Sequence, residues 1–265
     1  MSEPPMNEFD PSSRRCVSLT VSGDWAHFRR IDTTNDKQTY RVIPRTTVAG
    51  LLAAILGEPR DSYYDVFARD SSAVAIVPQR PLRTMQVPML TLPTAGGDIQ
   101  TAEGVSGKTV IPPEVLERER KRRAFEYLCD PAYRLHVVLD DDEWMDRLVD
   151  RLDADSETGP PSVRSVYTPS LGKTECLADI TESSVGTVTG PESVSAVDST
   201  LPEAKVTPLA DVSYAMERTP AYMTQANGGR KTTGFVSYAY PTDGGQIETA
   251  DVEAYSVNGD TVCFL

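Results

Sequence analysis

The sequence predicts an α+β chain: a split βαβ, ferredoxin-like domain with a long insertion, followed by a smaller, mostly β C-terminal domain. Three observations carry that expectation. Short apolar runs of period two and two runs of helical period fall in the order β, α, β, β, β, α over residues 16–152, the third strand being interrupted by a long Gly- and Thr-rich excursion. A polar linker follows at 153–163, its first ten residues reading DADSETGPPS. Beyond it, Thr189-Gly190-Pro191, Asn227-Gly228-Gly229 and Asp243-Gly244-Gly245 punctuate Val- and Tyr-rich runs over 164–265.

Residues 1–15 lack both an apolar run and a helical pattern and are expected to be flexible. CVSLTVSGD at 16–24 alternates Val17, Leu19 and Val21 with polar neighbours and ends at Gly23, the pattern of a half-buried strand. WAHFRRIDTTNDKQTYRVIPR follows as a polar loop with five basic and three aromatic residues. Thr46 or Thr47 can then N-cap a helix whose Val48, Leu51, Leu52, Ile55 and Leu56 recur at i, i+3, i+4, i+7 and i+8. Gly57 supplies its stop, and Ala49, Gly50, Ala53 and Ala54 leave room for close approach on its other side.

SAVAIVP at 72–78 reads as a buried strand, and PLRTMQVPMLTLP at 81–93 as an edge strand or projecting arm, because Pro88 cannot donate to a central ladder. The excursion spans about 92–123, too long for an ordinary connector, and ends in the basic run Arg118, Arg120, Lys121, Arg122 and Arg123. AFEYLC and AYRLHVVL resume strand character around Asp130-Pro131, with Tyr133, Leu135, Val137 and Leu139 on one face and Arg134, His136 and Val138 on the other. DDDEWMDRLVDRL offers Asp140 to Asp142 as N-cap and Trp144, Met145, Leu148, Val149 and Leu152 as the apolar stripe of a second helix. Two helices would cover one face of the sheet and leave the other open, as in RNA-recognition modules.

Composition narrows the function. The formal charge of -13 argues against a nucleic-acid partner, since phosphate binding relies on a positive footprint. Only six of the 26 basic residues are lysine, however, and an acidic, lysine-poor surface suits a cytoplasm of molar salt, where the Debye length falls to roughly 3 Å. An ordinary acidic protein remains an alternative on composition alone. No run reaches the ~18 apolar residues of a membrane span, so a cytoplasmic chain without a membrane partner is expected. Cys16, Cys129, Cys176 and Cys263 are far apart and read as small hydrophobes in a reducing compartment. No P-loop, Ser-His-Asp set or cluster of metal ligands is legible, and Gly107-Lys108-Thr109 lacks the upstream glycine of a nucleotide cradle, so no cofactor is implied.

YRVIPRTTVAGLLAAILG, LCDPAYRLHVVL and SVYTPSLGKTECLADI, in that order, resemble the fifth CRISPR-associated (Cas) family. Its members are RAMP-superfamily subunits of Cascade, the type I surveillance complex, and the likeness is greatest to the haloarchaeal type I-B branch. The resemblance spans residue 16 to at least 180 and continues more weakly through GGRKTTGFVSYAYPTDGG. It implies a projecting thumb within 92–123, binding of the 5′ handle of the CRISPR RNA (crRNA), and contacts with the backbone RAMP subunit and the large subunit.

Holding a single-stranded RNA end calls for arginines, glycine turns that free backbone amides, and apolar wedges. Arg41 and Arg45 flank the first helix's N-terminus, where free amides already favour an anion, and together could form a phosphate site. Arg41 could instead pair with Asp36 or Asp61, and Arg45 could be merely solvated. Leu171-Gly172-Lys173 offers a second anion-binding turn, although a glycine turn needs no ligand. Arg118, Arg120, Lys121, Arg122 and Arg123 form a third patch, of which Arg120, Arg122 and Arg123 join the candidate set, although with Glu114, Glu117 and Glu119 the run reads more readily as a salt-bridged helix face. Arg29, Lys108 and Arg230 complete the candidate RNA-binding set.

In the type I-C branch the resembled subunit cuts precursor RNA without metal, using Tyr, Lys and His. Here His27, Tyr40 and Lys37 would be the candidates, but type I-B systems assign cutting to a separate endonuclease, so a non-catalytic chain is expected. A metal-independent endoribonuclease and an acidic interaction protein without an RNA role are the alternatives.

Overall fold

Val17, Leu19 and Val21 alternate with Cys16, Ser18 and Thr20, so the first strand has two faces to bury, and the architecture covers both. The computed structural model describes residues 9–30, 36–92, 100–101, 109–155, 162–209, 212–226 and 229–265. In chain order the first elements are β1 (Arg15–Ser22), β2 (Trp25–Ala26), α1 (Arg45–Leu56), β3 (Ser72–Pro78), β4 (Arg83–Thr91), β5 (Gln100–Thr101) and β6 (Thr109–Val110). Next come α2 (Pro113–Leu116), β7 (Lys121–Cys129), β8 (Ala132–Leu139), α3 (Asp142–Leu152) and β9 (Asp179–Thr187). The remainder is β10 (Thr189–Val197), β11 (Leu201–Pro202), β12 (Ala215–Ala226), β13 (Gly229–Tyr240), β14 (Ile247–Val257) and β15 (Asp260–Val262).

The expected ferredoxin-like sheet is present: β3, β8, β1 and β9 form one antiparallel sheet in that order. Val17, Leu19 and Val21 join Leu135, Val137, Val74 and Ile76 beneath α1 and α3. Val48, Leu51, Leu52, Ile55 and Leu56 of α1 are all buried there, each worth roughly 1.5–3 kcal/mol relative to exposure. Cys16, Cys176 and Cys263 are buried and Cys129 is half-buried, all with free thiols.

Several boundaries differ from expectation. The sheet is completed by β9, so the 153–163 segment connects α3 to the last strand of the first domain instead of ending that domain. β9 sits at the sheet edge, and its polar sequence DITESSVGT carries no alternation to announce it. The projecting hairpin is also longer than the 92–123 excursion: β4 and β7 pair from Arg83↔Cys129 to Thr91↔Lys121, and β2 adds to the base of β7. Pro88 lies on the edge strand β4 as its missing N–H requires. Among the described residues of the excursion, helical structure is limited to the single turn α2, while Lys121–Arg123 begin a strand; the helix-face reading of that run fails.

The second face of the sheet is not open. Cys16, Ala73, Ala75, Val77 and Val138 pack against Val257 and Val262 of β14 and β15, so the C-terminal half closes the face an RNA-recognition module would expose. The other side of α1, small-residued as noted, is approached by the β12–β13 hairpin, whose Tyr222, Tyr238 and Tyr240 enter the same core.

Candidate nucleic-acid interface

α1 starts at Arg45 with Pro44 as N-cap, two to three positions before the expected caps Thr46 or Thr47. The Pro44 carbonyl accepts the Thr47 and Val48 amides, and proline has no side-chain oxygen to cap the helix start. The helix mouth therefore opens, through Thr46 and Thr47, onto a groove of about 450 Å³. Its walls are the stretch after β2, the 171–173 turn and the β12–β13 hairpin, and its cations are Arg29, Lys173, Arg230 and Lys231. Among the described residues no aspartate or glutamate lines it, in a chain of formal charge -13. An adjoining groove of about 280 Å³ shares Thr46, Thr47, Gly172, Met223 and Arg230 and continues along α1 past Gly50 and Ala54 to Tyr63.

The 171–177 turn is locked onto the first domain. Leu171 accepts the His27 amide at 3.1 Å, and its own amide donates to the Cys176 carbonyl at 2.7 Å. Gly172 has φ +96°, and a Cβ there would lie 2.2 Å from the His27 carbonyl oxygen, so only glycine lets the turn approach this closely. The turn delivers Lys173, whose ammonium donates to the Tyr127 hydroxyl at 2.9 Å, pairs with Glu175 and stands 4.6 Å from the Phe125 ring centroid. Burial alone would lower the Lys173 pKa, but the bonds from Glu175 and Tyr127 outweigh it and keep the group an ammonium.

His27 is buried with its ring 5.3 Å from that of Tyr127. Its Nδ1 lies 2.7 Å from the Glu126 carbonyl, which can only accept, so Nδ1 carries the proton. Burial lowers the His27 pKa, and the nearby Lys173 and Arg29 charges act in the same direction.

Of the residues singled out from sequence, Arg29, Gly172, Lys173, Arg230, His27 and Tyr40 meet at the groove. Arg230 also pairs with Asp61 at 3.0 Å. Lys37 is bound by its backbone to Ala124 and Glu126, and its pKa is lowered by burial and then by the like charges of Arg29 and Arg123. Arg120 lies further out, its guanidinium donating to the Leu116 and Arg118 carbonyls, and Arg122 is exposed opposite Leu90. Lys108 falls outside the described residues.

The Arg41 and Arg45 pair does not form the phosphate site. Arg41 neither lines the groove nor pairs with Asp36 or Asp61: its guanidinium binds Glu126 at 3.1 Å and its amide donates to Glu217. Burial would raise the Glu126 carboxyl, but the Arg41 and Thr39 hydrogen bonds hold it below its ordinary value. Arg45 is only 4% exposed and donates to the Leu265, Ala68 and Ser72 carbonyls and the Ser72 hydroxyl; it staples the helix start to the core. Sequence reading missed Lys231, Thr46 and Thr47 as groove residues, although Lys231 neighbours Arg230 in the GGRK turn.

A Ser-His-Asp series that no spacing announces also exists. The Ser18 hydroxyl is 2.8 Å from His136 Nδ1, and His136 Nε2 is 2.9 Å from Asp260. Ser18 is 1% exposed and also receives the Asn258 amide, so no substrate reaches it and the series acts as a structural link.

Fold and groove together define the class: a ferredoxin-like α+β protein with a projecting hairpin and a cationic groove. The chain belongs to the family described as CRISPR-associated protein (Cas_Cas5), which matches residues 16–230. No curated protein sequence matches it. The crystal structure of a CRISPR protein from Archaeoglobus fulgidus superposes with a TM-score of 0.52 at 13% identity, covering 94% of this chain and 98% of that one, and supports the fold. A chain of a CRISPR RNA-guided surveillance complex is similar at TM-score 0.48 and 13% identity, with 89% and 91% covered.

Proposed function

We propose that this chain is a non-catalytic subunit of a CRISPR effector complex that holds the 5′ handle of the crRNA in the groove between α1, the 171–173 turn and the β12–β13 hairpin. In this reading it belongs to a type I-B, salt-adapted Cascade and docks against the backbone RAMP subunit and the large subunit. The observation that carries it is the concentration of Arg29, Lys173, Arg230 and Lys231 around one groove of a strongly acidic chain, Arg29 and Lys231 adding to Lys173 and Arg230, which also pair with Glu175 and Asp61. Guanidinium and ammonium contacts at close range survive high salt, whereas the repulsive field of the remaining surface is screened. The uncapped start of α1 adds backbone donors, and Met223, Pro220 and Tyr40 supply apolar surface for a base.

The test is affinity purification at molar KCl, with sequencing of bound RNA. Repeat-derived RNA sharing one 5′ end, co-purifying with other Cascade subunits, is expected, and the double variant Arg29→Ala/Lys231→Ala should lower RNA occupancy. Four phosphate contacts give a log K versus log salt slope of about -3 for a single strand. A clean protein without RNA or Cascade partners overturns the reading in favour of an interaction protein.

The cluster of His27, an ammonium Lys173 and Tyr127 favours a second reading, a metal-independent endoribonuclease with His27 as base. Incubating precursor RNA with the wild type in chelator separates the two: it stays intact under the first, whereas cleavage abolished by His27→Ala would replace it.

A further inference from the structure

The sheet at the base of the projecting hairpin carries an exposed cluster outside the groove. Its strand order is β2–β7–β4, and the register sets Trp25, Cys129 and Arg83 in one row across the three strands. Directly opposed residues of an antiparallel sheet share a face, so the indole, the thiol and the guanidinium stem rise on the same side. Tyr127 and Met85 form the next row of that face. Trp25 is 39% exposed, Met85 is 44% exposed and Arg83 is exposed, while the half-buried Cys129 between them is too small to fill the row.

This face continues the groove. His27, which lines the groove, stands two residues beyond Trp25, and the two rings meet that of Tyr127 at 5.3 and 6.2 Å. The Trp25–Tyr127 contact is edge-on at 83°, so it covers at most one face of the indole. Lys173 lies over Phe125 and Tyr127 on the same side of the sheet. The nearby carboxylates are already engaged, Glu175 by Lys173 and Tyr127 and Asp130 by Arg80. Arg83 has neither a hydrogen bond nor an ion pair among the described residues.

We propose that this row is a stacking station for one unpaired RNA nucleotide, its base on Trp25 and its phosphate on Arg83. The proposal rests on the RNA-binding reading of the groove and places this nucleotide next to the one whose phosphate Lys173 meets. Neighbouring strands run ~4.8 Å apart, so Trp25 and Arg83 bound a trough about 10 Å across with Cys129 as its floor. An indole stacks any base, and a guanidinium pairs with a phosphate at close range. An apolar protein segment would use Trp25 and Met85 but leave Arg83 unmatched.

The chain has two tryptophans, so Trp144→Phe leaves Trp25 as its single indole. The full chain carrying that change is titrated with labelled single-stranded RNA of the repeat sequence, with label anisotropy and indole fluorescence read together. Quenching of Trp25 in step with the anisotropy is expected. Trp25→Ala should weaken binding about 10-fold, and Trp25→Phe should restore most of the loss. Arg83→Gln should reduce the slope of log K against log salt by about 0.7. Binding without quenching, with both Trp25→Phe and Arg83→Gln at wild-type affinity and slope, overturns the station and leaves the groove reading standing. No rise in anisotropy overturns the groove reading and the station with it. Wild-type RNA affinity in Trp25→Ala together with loss of co-purifying Cascade subunits would make the face a protein contact and overturn the proposal.

Discussion

Gly172 connects backbone geometry to the groove at the level of one residue. With φ at +96° and the His27 carbonyl oxygen 2.2 Å from any added Cβ, alanine must push the turn off the stretch after β2 that carries His27. Gly172→Ala should therefore destabilise the fold by about 1–3 kcal/mol, read from the urea midpoint, and weaken RNA binding by displacing Lys173. A wild-type midpoint would show that the turn relaxes freely. The sequence marked Leu171-Gly172-Lys173 only as a glycine turn that could bind an anion, and the family resemblance gave it weight. It could not rank the arginines: Arg41 and Arg45 stand beside a helix start as Arg29 stands in its loop, and only tertiary partners such as Glu126 and the Ser72 carbonyl decide which are spent.

The two long helices start differently, and the difference matches their surroundings. In α3 the Asp141 carboxylate accepts the Glu143 and Trp144 amides at 3.0 and 3.1 Å, which the run Asp140 to Asp142 made legible. Asp141→Ala should cost about 1 kcal/mol in chemical denaturation and leave RNA occupancy unchanged, since α3 lies away from the groove. An unchanged midpoint would mean that solvent caps the helix as well. The helix α1, with proline at its start, keeps its mouth bare beside the groove cations. Elements with strong periodicity, β1, α1, β3, β8 and α3, were readable from sequence. β9 was not, because an edge strand facing solvent has no apolar alternation to display, and the polar stretch before it imitated a domain boundary.

Across the whole molecule, the C-terminal half closes the sheet face opposite the helices through a polar link as well as an apolar one. Asn258, at the β14–β15 turn, donates to Ser18 and Ser184, and Asp260 joins Arg134 at 3.2 Å and His136 at 2.9 Å. The partners come from β1, β8 and β9, so no local pattern could have announced the closure. Burial alone would raise the Asp260 pKa, but the hydrogen bond from His136 and the charges of His136 and Arg134 outweigh it and hold the carboxyl below its ordinary value. A carboxyl depressed in the folded state contributes stability that is fully present above the unfolded aspartate value of ~3.9 and is lost as pH falls through the lower folded value. Asp260→Asn should therefore lower unfolding free energy by about 1–3 kcal/mol at neutral pH, leaving His136 and Arg134 short of an acceptor. Denaturation of both proteins in parallel should show that gap shrinking as pH drops below ~3.9, because the wild-type carboxyl is then protonated too. A gap that stays constant over the same range would place the stabilisation in packing of the β14–β15 turn and not in the charge that holds it.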